Sequence, residues 1–160
     1  MLNIVSGDLV DMAKNGEFDA IFHGCNCFHT MGGGIARQIK REFPQAYEAD
    51  LNTLHADPNK IGTASVTQTP SGLQIVNCYT QYKYGTTQKH FIESALQVIL
   101  DKTVLILNEF KPTTRLHYGF PLIGCGLAGG DPVIVTEMLT KFAERVAEYA
   151  DVTLVLYEES

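Results

Sequence analysis

The chain has 160 residues, of which 45% are hydrophobic and 19% charged, and its formal net charge is −6. This length and composition predict one soluble globular domain over residues 1–160 and argue against disorder. The negative charge argues against the basic surfaces that bind nucleic acid or anionic membranes, so we expect no membrane partner and no direct sequence-specific binding of nucleic acid.

The predicted elements alternate between strands and helices along the chain. Apolar periodicity and turn signals predict, in chain order, strands at 2–5 and 18–23, a helix at 34–43 with a helical pattern resuming after Pro44 to about 54, strands at 64–68 and 73–79, a helix at 89–110, a strand at 117–123, a helix at 132–149 and a strand at 152–157. A Pro-Ser-Gly turn at 70–72 joins the third and fourth strands. This alternation predicts an α/β sandwich with helices on both faces of the sheet.

The four cysteines do not have the spacing of a zinc site; they are Cys25, Cys27, Cys78 and Cys125. Residues 1–5 read as a strand rather than as a signal peptide, and no apolar run is long enough to span a membrane. We therefore expect reduced thiols, a cytoplasmic location, and no metal or other cofactor.

The stretch at 21–36 is the most informative part of the chain. An apolar strand leads through a polar turn into Gly32, Gly33 and Gly34, and a helix follows directly. Glycines let backbone N–H groups approach a ligand, and the start of a helix adds unpaired N–H groups and a positive dipole end. Residues 26–34, the first glycine loop, are therefore predicted to hold an anion. The Gly-Lys-Ser/Thr ending of a nucleotide-triphosphate loop is absent.

A second glycine-rich segment, residues 124–130, connects another predicted strand to a helix and is named the second glycine loop. Asp131 is predicted to cap that helix, with Pro132 as its first residue. Both loops lie at strand ends, where open α/β folds bind ligands. Because basic side chains are few, a phosphate would be held mainly by backbone amides and helix ends.

Four segments carry a resemblance to the macrodomain family, the ADP-ribose-binding fold; they are Gly-Asp-Leu at 7–9, His-Gly-Cys-Asn-Cys at 23–27, Met-Gly-Gly-Gly-Ile-Ala at 31–36 and Ile-Gly-Cys-Gly-Leu at 123–127. With Phe43 and Pro44, they most resemble the fungal ADP-ribose-1″-phosphate phosphatase branch. They are also similar to the branch of terminal ADP-ribose glycohydrolases and DNA-ADP-ribose hydrolases. The resemblance implies a three-layer α/β/α sandwich with a central mixed sheet.

The resemblance also implies ligand contacts at the matched positions. Asp8 and the backbone of Leu9 are expected to bind adenine, Tyr157 to line the adenine pocket, and Asn26 to hold the distal ribose. The phosphates are expected in the two loops, one at Gly32, Gly33, Gly34 and Ile35 and the other at Gly124, Cys125, Gly126 and Leu127. Asp8 and Asn26 also have structural explanations, as a helix cap and a turn former.

His23 and Asp131 are the two candidate catalysts. The resemblance to the phosphatase branch implies a catalytic role for His23, whose ordinary pKa suits acid–base chemistry near neutrality, whereas the alternative is a structural histidine at a strand end. Asp131 would bring a carboxylate near the distal ribose to activate water, and helix capping is its alternative explanation. Many relatives have Trp where this chain has Pro132.

Lys83 is a third candidate, in the manner of glycohydrolases whose lysine forms a Schiff base with the anomeric carbon. Here Gln81 occupies the matching position and Lys83 lies two residues further along. Cys25, Cys27 and Cys125 would flank the ligand, and we interpret them as packing residues rather than as nucleophiles.

These observations favour a hydrolase that releases phosphate from the distal ribose of ADP-ribose-1″-phosphate. Two alternatives stay open. One is an enzyme that removes ADP-ribose from protein carboxylates or nucleic acid, and the other is a reader that binds ADP-ribose without chemistry. The expected partners are ADP-ribose or its 1″-phosphate, and in the first alternative ADP-ribosylated macromolecules.

Overall fold

A six-stranded mixed sheet runs through the centre of the protein in the computed structural model, which describes residues 1–85 and 89–158. The strands are β1 (Leu2–Gly7), β2 (Ala20–Cys25), β3 (Ala64–Gln68), β4 (Gln74–Tyr79), β5 (Leu116–Phe120) and β6 (Ala150–Tyr157). Their order across the sheet is β1-β6-β5-β2-β4-β3, and every neighbouring pair is parallel except the β3–β4 hairpin. The predicted mixed sheet and its Pro-Ser-Gly hairpin are confirmed.

Helices cover both faces of this sheet, as predicted. One face carries α1 (Leu9–Lys14), α2 (Gly34–Glu42) and α3 (Pro44–Leu51), and the other carries α4 (Glu93–Phe110) and α5 (Pro132–Arg145). Strand β2 packs against the helices on both faces of the sheet, because successive strand side chains point to opposite faces. Phe22 packs toward α4 and α5, where it stacks on Phe120 with ring centroids 4.3 Å apart, and Ile21 packs toward α1–α3.

Two element boundaries differ from the prediction, one because of tertiary hydrogen bonds and the other because of a proline. The helix predicted from residue 89 begins at Glu93, since the N–H groups of His90 and Phe91 donate to the carbonyl of Ala128 instead of starting a helical turn. The strand predicted to reach residue 123 ends at Phe120, directly before a proline, which lacks the N–H that a strand ladder needs.

The remaining differences are small. Strand β1 reaches Gly7 rather than residue 5, and β2 spans Ala20–Cys25 rather than 18–23. The sequence predicts the six-residue helix α1 only through the alternative explanation of Asp8 as a helix cap. Helix α3 ends at Leu51 rather than near residue 54, and α5 ends at Arg145 rather than at 149. Strand β6 begins at Ala150 rather than at residue 152, because Ala150 already pairs with Leu116 of β5.

Candidate functional site

The candidate site lies along one edge of the sheet, at the carboxyl ends of the parallel strands. Because β1, β6, β5 and β2 are neighbours and run in the same direction, the segments that follow them meet at this edge. In that order the edge carries Asp8 after β1, Tyr157 at the end of β6, the second glycine loop after β5 and the first glycine loop after β2. The topology thus brings together the segments that the sequence assigned to one ligand.

Local hydrogen bonds hold the first half of the first glycine loop. The Nδ2 of buried Asn26 donates to the Oγ1 of Thr30 at 2.7 Å and to the carbonyl of Thr30 at 3.2 Å. Its Oδ1 accepts from the N–H of Phe28 at 2.8 Å. His29 has a left-handed backbone, with φ 58°, and the Tyr47 hydroxyl donates to its carbonyl. Asn26 therefore has the turn-forming role, and its contact with a ribose stays a prediction, in which the second lone pair of Oδ1 would accept from a hydroxyl.

The three glycines of the first loop expose their backbone where α2 begins. Gly33 is the N-cap residue and offers no side chain to the first N–H groups of the helix, an arrangement that suits an anion. A side-chain carbon at Gly32 or at Gly34 would meet no atom within 4 Å, so the space beside this backbone is open. Ile35 is half-buried and packs against the core beneath the loop.

Left-handed glycines shape the second glycine loop. Gly124 has φ 75° and Gly129 has φ 77°, values that side chains rarely adopt. The N–H of Gly130 donates to the carbonyl of Gly124 at 2.6 Å and closes the loop. At Gly126 a side-chain carbon would meet no atom within 4 Å, and Leu127 beside it is 62% exposed. The backbone at the tip is therefore open to a ligand.

The two glycine loops approach each other directly. A side-chain carbon at Gly33 would lie 3.2 Å from Cδ1 of Leu127 in the second loop. Closer to the sheet, a side-chain carbon at Gly24 would lie 3.1 Å from Cγ2 of Ile123. The two loops are therefore neighbours at this edge, and the surface that they flank is named the cleft.

Asp8, Leu9 and Tyr157 lie together at the β1–β6 end of the edge. The strand register pairs Gly7 with Tyr157, and the N–H of Glu158 donates to the carbonyl of Gly7 at 2.9 Å. Leu9 buries its side chain in the core, so only its backbone is available to a ligand, whereas Tyr157 is 65% exposed. This neighbourhood fits the predicted adenine pocket, and the contacts themselves stay predictions.

The Asp8 carboxylate has two partners in the structure. Its Oδ1 accepts from the N–H of Asp11 at 3.0 Å, which confirms the helix-cap explanation, and its Oδ2 accepts from Nε2 of Gln38 at 3.4 Å. Gln38 links α2, the helix of the first glycine loop, to the β1 end of the edge, and this contact is not among the sequence-based predictions. The available signal was its position four residues after Gly34, on the same helical face.

Asp131 is the N-cap of α5, with Pro132 as the first helical residue, as predicted. Its Oδ1 accepts from the N–H of Val133 at 2.9 Å. The side chain is exposed at the junction between the second glycine loop and α5. Capping explains the residue structurally, and its catalytic role stays a prediction.

His23 lies inside the protein with none of its surface exposed. Its Nε2 is 2.6 Å from Oδ1 of Asn77, whose Nδ2 donates to the carbonyl of Ala46 and to Oγ of Ser65. Burial lowers the pKa of His23 to about 4, against the opposing effect of the Asn77 hydrogen bond, and keeps the ring neutral. This environment matches the structural alternative, and a catalytic role for His23 stays a prediction that would require the buried ring to become accessible.

We expect His23 to make the stability of the protein depend on pH. Its pKa is about 4 in the folded state and 6.5 ordinarily, so the unfolded chain binds the proton more readily between these values. The stability contribution is fully present above pH 6.5 and is lost as the pH falls toward 4. Denaturant titrations should show the free energy of unfolding falling by about 3 kcal/mol more in the parent than in His23→Gln across this range. Identical pH profiles would contradict this account.

Burial raises the pKa of the thiols that flank the site. The pKa of Cys125 reaches about 11, with smaller contributions from the carboxylates of Asp131 and Glu93. Burial also raises the pKa of Cys25 and of Cys27. Thiols with a raised pKa stay protonated near neutral pH, which agrees with their interpretation as packing residues.

Lys83 is exposed on the connection between β4 and α4. Gln81, at the position where glycohydrolases would have the lysine, donates from Nε2 to the carbonyl of Lys83 at 2.7 Å. Lys83 also lines an open cavity of about 600 Å³, together with Lys89 and Phe91. Its role in catalysis stays a prediction.

Two classes of feature are absent from residues 1–85 and 89–158. No group of three or more His, Cys, Asp or Glu side chains in these ranges could hold a metal ion. No helix formed by these residues has both the length and the hydropathy needed to cross a membrane.

The sequence profile of the Macro domain family matches residues 22–139, a range that includes both glycine loops. The chain is 33% identical over 153 residues to an uncharacterised 17.5 kDa protein of Enterobacteria phage T4, covering 91% of this chain and 92% of that protein. It is 24% identical over 134 residues to the ADP-ribose 1″-phosphate phosphatase of Candida albicans, covering 81% of this chain and 85% of the phosphatase.

Solved structures share the fold. The macrodomain of Mycobacterium tuberculosis DarG has a TM-score of 0.74 at 23% identity, covering 100% of this chain and 99% of that one. Thermosipho africanus DarTG in complex with ADP-ribose has a TM-score of 0.75 at 18% identity, covering 97% of this chain and 41% of that one. The three-layer architecture and the profile match lead to the same conclusion: the chain belongs to the Macro domain family.

Proposed function

We propose that the protein binds ADP-ribose in the cleft between its glycine loops and releases phosphate from ADP-ribose-1″-phosphate. The observation that carries the proposal is the close approach of the loops, where Gly33 and Leu127 come into contact. The first loop offers exposed backbone next to the uncapped start of α2, and the second offers exposed backbone at Gly126, whereas the start of α5 is already capped by Asp131. Two such cradles side by side suit two linked phosphates.

The residues on either side of the cleft would set the orientation of the bound ligand. At the β1–β6 end, the Asp8 carboxylate would accept from the adenine amino group, and the exposed ring of Tyr157 would line the pocket. At the β2 end, Asn26 would face the distal ribose. Two similar proteins support this choice of ligand, since the Candida albicans relative is an ADP-ribose 1″-phosphate phosphatase and Thermosipho africanus DarTG was solved in complex with ADP-ribose.

Asp131 is the proposed general base. Its exposed carboxylate follows the second glycine loop, where it would orient a water molecule and take its proton as the water attacks the phosphate ester. Backbone N–H groups of the loops would stabilise the negative charge that develops. The bond between phosphorus and the 1″-oxygen breaks, this oxygen takes up a proton from Asp131 or from solvent, and the products are ADP-ribose and inorganic phosphate. Positioning of the ester would supply much of the rate. Buried His23 has no part in this scheme.

Incubation with ADP-ribose-1″-phosphate and detection of inorganic phosphate tests the reaction, and titration calorimetry with ADP-ribose tests the binding. We expect phosphate release and a saturable heat change. Absence of heat at high micromolar ligand would contradict the binding proposal. Binding without phosphate release would contradict the phosphatase and favour a reader.

Removal of ADP-ribose from macromolecules is the second candidate function, favoured by the position of Lys83 in the open cavity beside Phe91. In this case ADP-ribosylated protein or DNA would be consumed in place of the 1″-phosphate. Borohydride reduction during turnover would then trap ADP-ribose on Lys83, and mass spectrometry would locate the adduct. An unmodified Lys83 would count against this mechanism.

A further inference from the structure

We infer that Phe91 is a positioning residue for ligand binding, because it supports the second glycine loop from beneath and sets the width of the cleft. The inference rests on the proposed function, since the cleft is the proposed ADP-ribose site. Phe91 precedes α4, is only 3% exposed, and lies outside every segment that resembles the family's motifs.

The ring of Phe91 lies against both ends of the second glycine loop. A side-chain carbon at Gly124 would lie 2.2 Å from Cδ1 of Phe91, and one at Gly130 would lie 2.7 Å from its Cδ2. These are the two glycines joined by the hydrogen bond that closes the loop. The ring therefore occupies the space that any larger residue at either position would need.

The backbone around Phe91 follows the underside of the same loop. The N–H groups of His90 and Phe91 donate to the carbonyl of Ala128 at 2.8 and 3.2 Å. A side-chain carbon at Gly129 would lie 3.3 Å from Cα of Lys89. Residues 89–91 thus contact the loop at Gly124 and at residues 128–130, so these two ends of the loop have little freedom to move toward the core.

The same segment is anchored to the strand that begins the first glycine loop. The N–H of Ile92 donates to the carbonyl of Thr80 at 2.9 Å, and the N–H of Thr80 donates to the carbonyl of Cys25 at 3.3 Å. Cys25 is the last residue of β2, directly before the first loop. A chain of backbone hydrogen bonds therefore ties the support of one loop to the base of the other, which fixes their separation.

Phe91→Leu is the variant that tests this inference. Leucine leaves space beneath Gly124 and Gly130, so the loop relaxes and its N–H groups shift from their positions facing the ligand. The Kd for ADP-ribose is expected to rise roughly tenfold, since small displacements of positioning groups are costly. Phe142→Leu is the matched control, because Phe142 is 2% exposed in the same core cluster but lies on α5.

Both variants are compared with the parent by thermal unfolding, calorimetry with ADP-ribose and phosphorus NMR of the bound ligand. We expect similar losses of Tm, weaker binding only in Phe91→Leu, and one of the two phosphorus signals shifted toward its free position only in that variant. Equal Kd values and equal phosphorus signals in the two variants would overturn the inference.

Hydrogen exchange without ligand separates this inference from the proposed function. The Gly130 amide, which donates to Gly124, should exchange faster in Phe91→Leu than in Phe142→Leu. If Gly130 exchanges faster in Phe91→Leu but the parent protein does not bind ADP-ribose, the role of Phe91 in the loop is supported and the proposed ligand is overturned. If the parent binds ADP-ribose but Gly130 exchanges at the same rate in Phe91→Leu as in Phe142→Leu, the role of Phe91 alone is overturned.

Discussion

Gly32→Glu is expected to weaken ADP-ribose binding by about a thousandfold while leaving the fold intact. A side-chain carbon at this position meets no atom within 4 Å, so glutamate fits without displacing its neighbours. Its carboxylate would lie near the N–H groups at the start of α2, where the proposal puts a phosphate. Like charges brought together in a binding site cost several kcal/mol, which is the source of the expected loss.

Gly32→Gln is the matched control, because it has the same size and shape without the charge. The affinities of the two variants, measured by calorimetry, isolate the electrostatic contribution. A carboxylate near a helix N-terminus stabilises the helix, so the Tm of Gly32→Glu should equal or slightly exceed that of Gly32→Gln. Loss of binding therefore cannot come from unfolding. Equal affinities of the two variants would mean that no phosphate lies at the first glycine loop.

Local sequence signals predicted the fold wherever local interactions decide the structure. The Pro-Ser-Gly turn is flanked by short apolar strands, and strand β3 has the predicted bounds. Asp131 before Pro132 combines a preferred N-cap with a preferred first helical residue, and α5 begins there. The prediction failed at residues 89–92, whose sequence suits a helix, because the N–H groups of residues 90 and 91 bond to Ala128 and that of residue 92 bonds to Thr80.

Local sequence signals predict some parts of the candidate site and not others. Both glycine loops could be predicted, because glycines between a strand and a helix are themselves the signal. The environment of His23 could not be predicted, because its burial depends on Asn77 and Ala46, which lie far along the chain. Gln38 and Phe91 act through tertiary contacts to Asp8 and to Gly124, for which no local pattern exists. Sequence motifs therefore predict the backbone that surrounds the ligand but not the residues that hold this backbone in place.

Asp131→Asn is expected to reduce kcat for phosphate release by about a thousandfold with little change in Tm or in affinity for ADP-ribose. Asparagine caps helices about as well as aspartate, so the hydrogen bond from the Val133 N–H is retained. An amide cannot take a proton from the attacking water. General base catalysis contributes roughly a hundred- to ten-thousandfold in rate, which sets the size of the expected loss.

Asp131→Ala removes both functions of the side chain and serves as the comparison. Its kcat should fall by the same factor as that of Asp131→Asn. Its free energy of unfolding should also fall by about 1 kcal/mol, because the helix cap is missing. His23→Gln should release phosphate at the parental rate, because the buried ring is not in contact with the cleft. If Asp131→Asn kept the parental kcat while Asp131→Ala lost only stability, Asp131 would be a helix cap and no base. If kcat fell in His23→Gln and not in the Asp131 variants, the histidine would be the catalytic residue. The structure around it would then have to open during turnover.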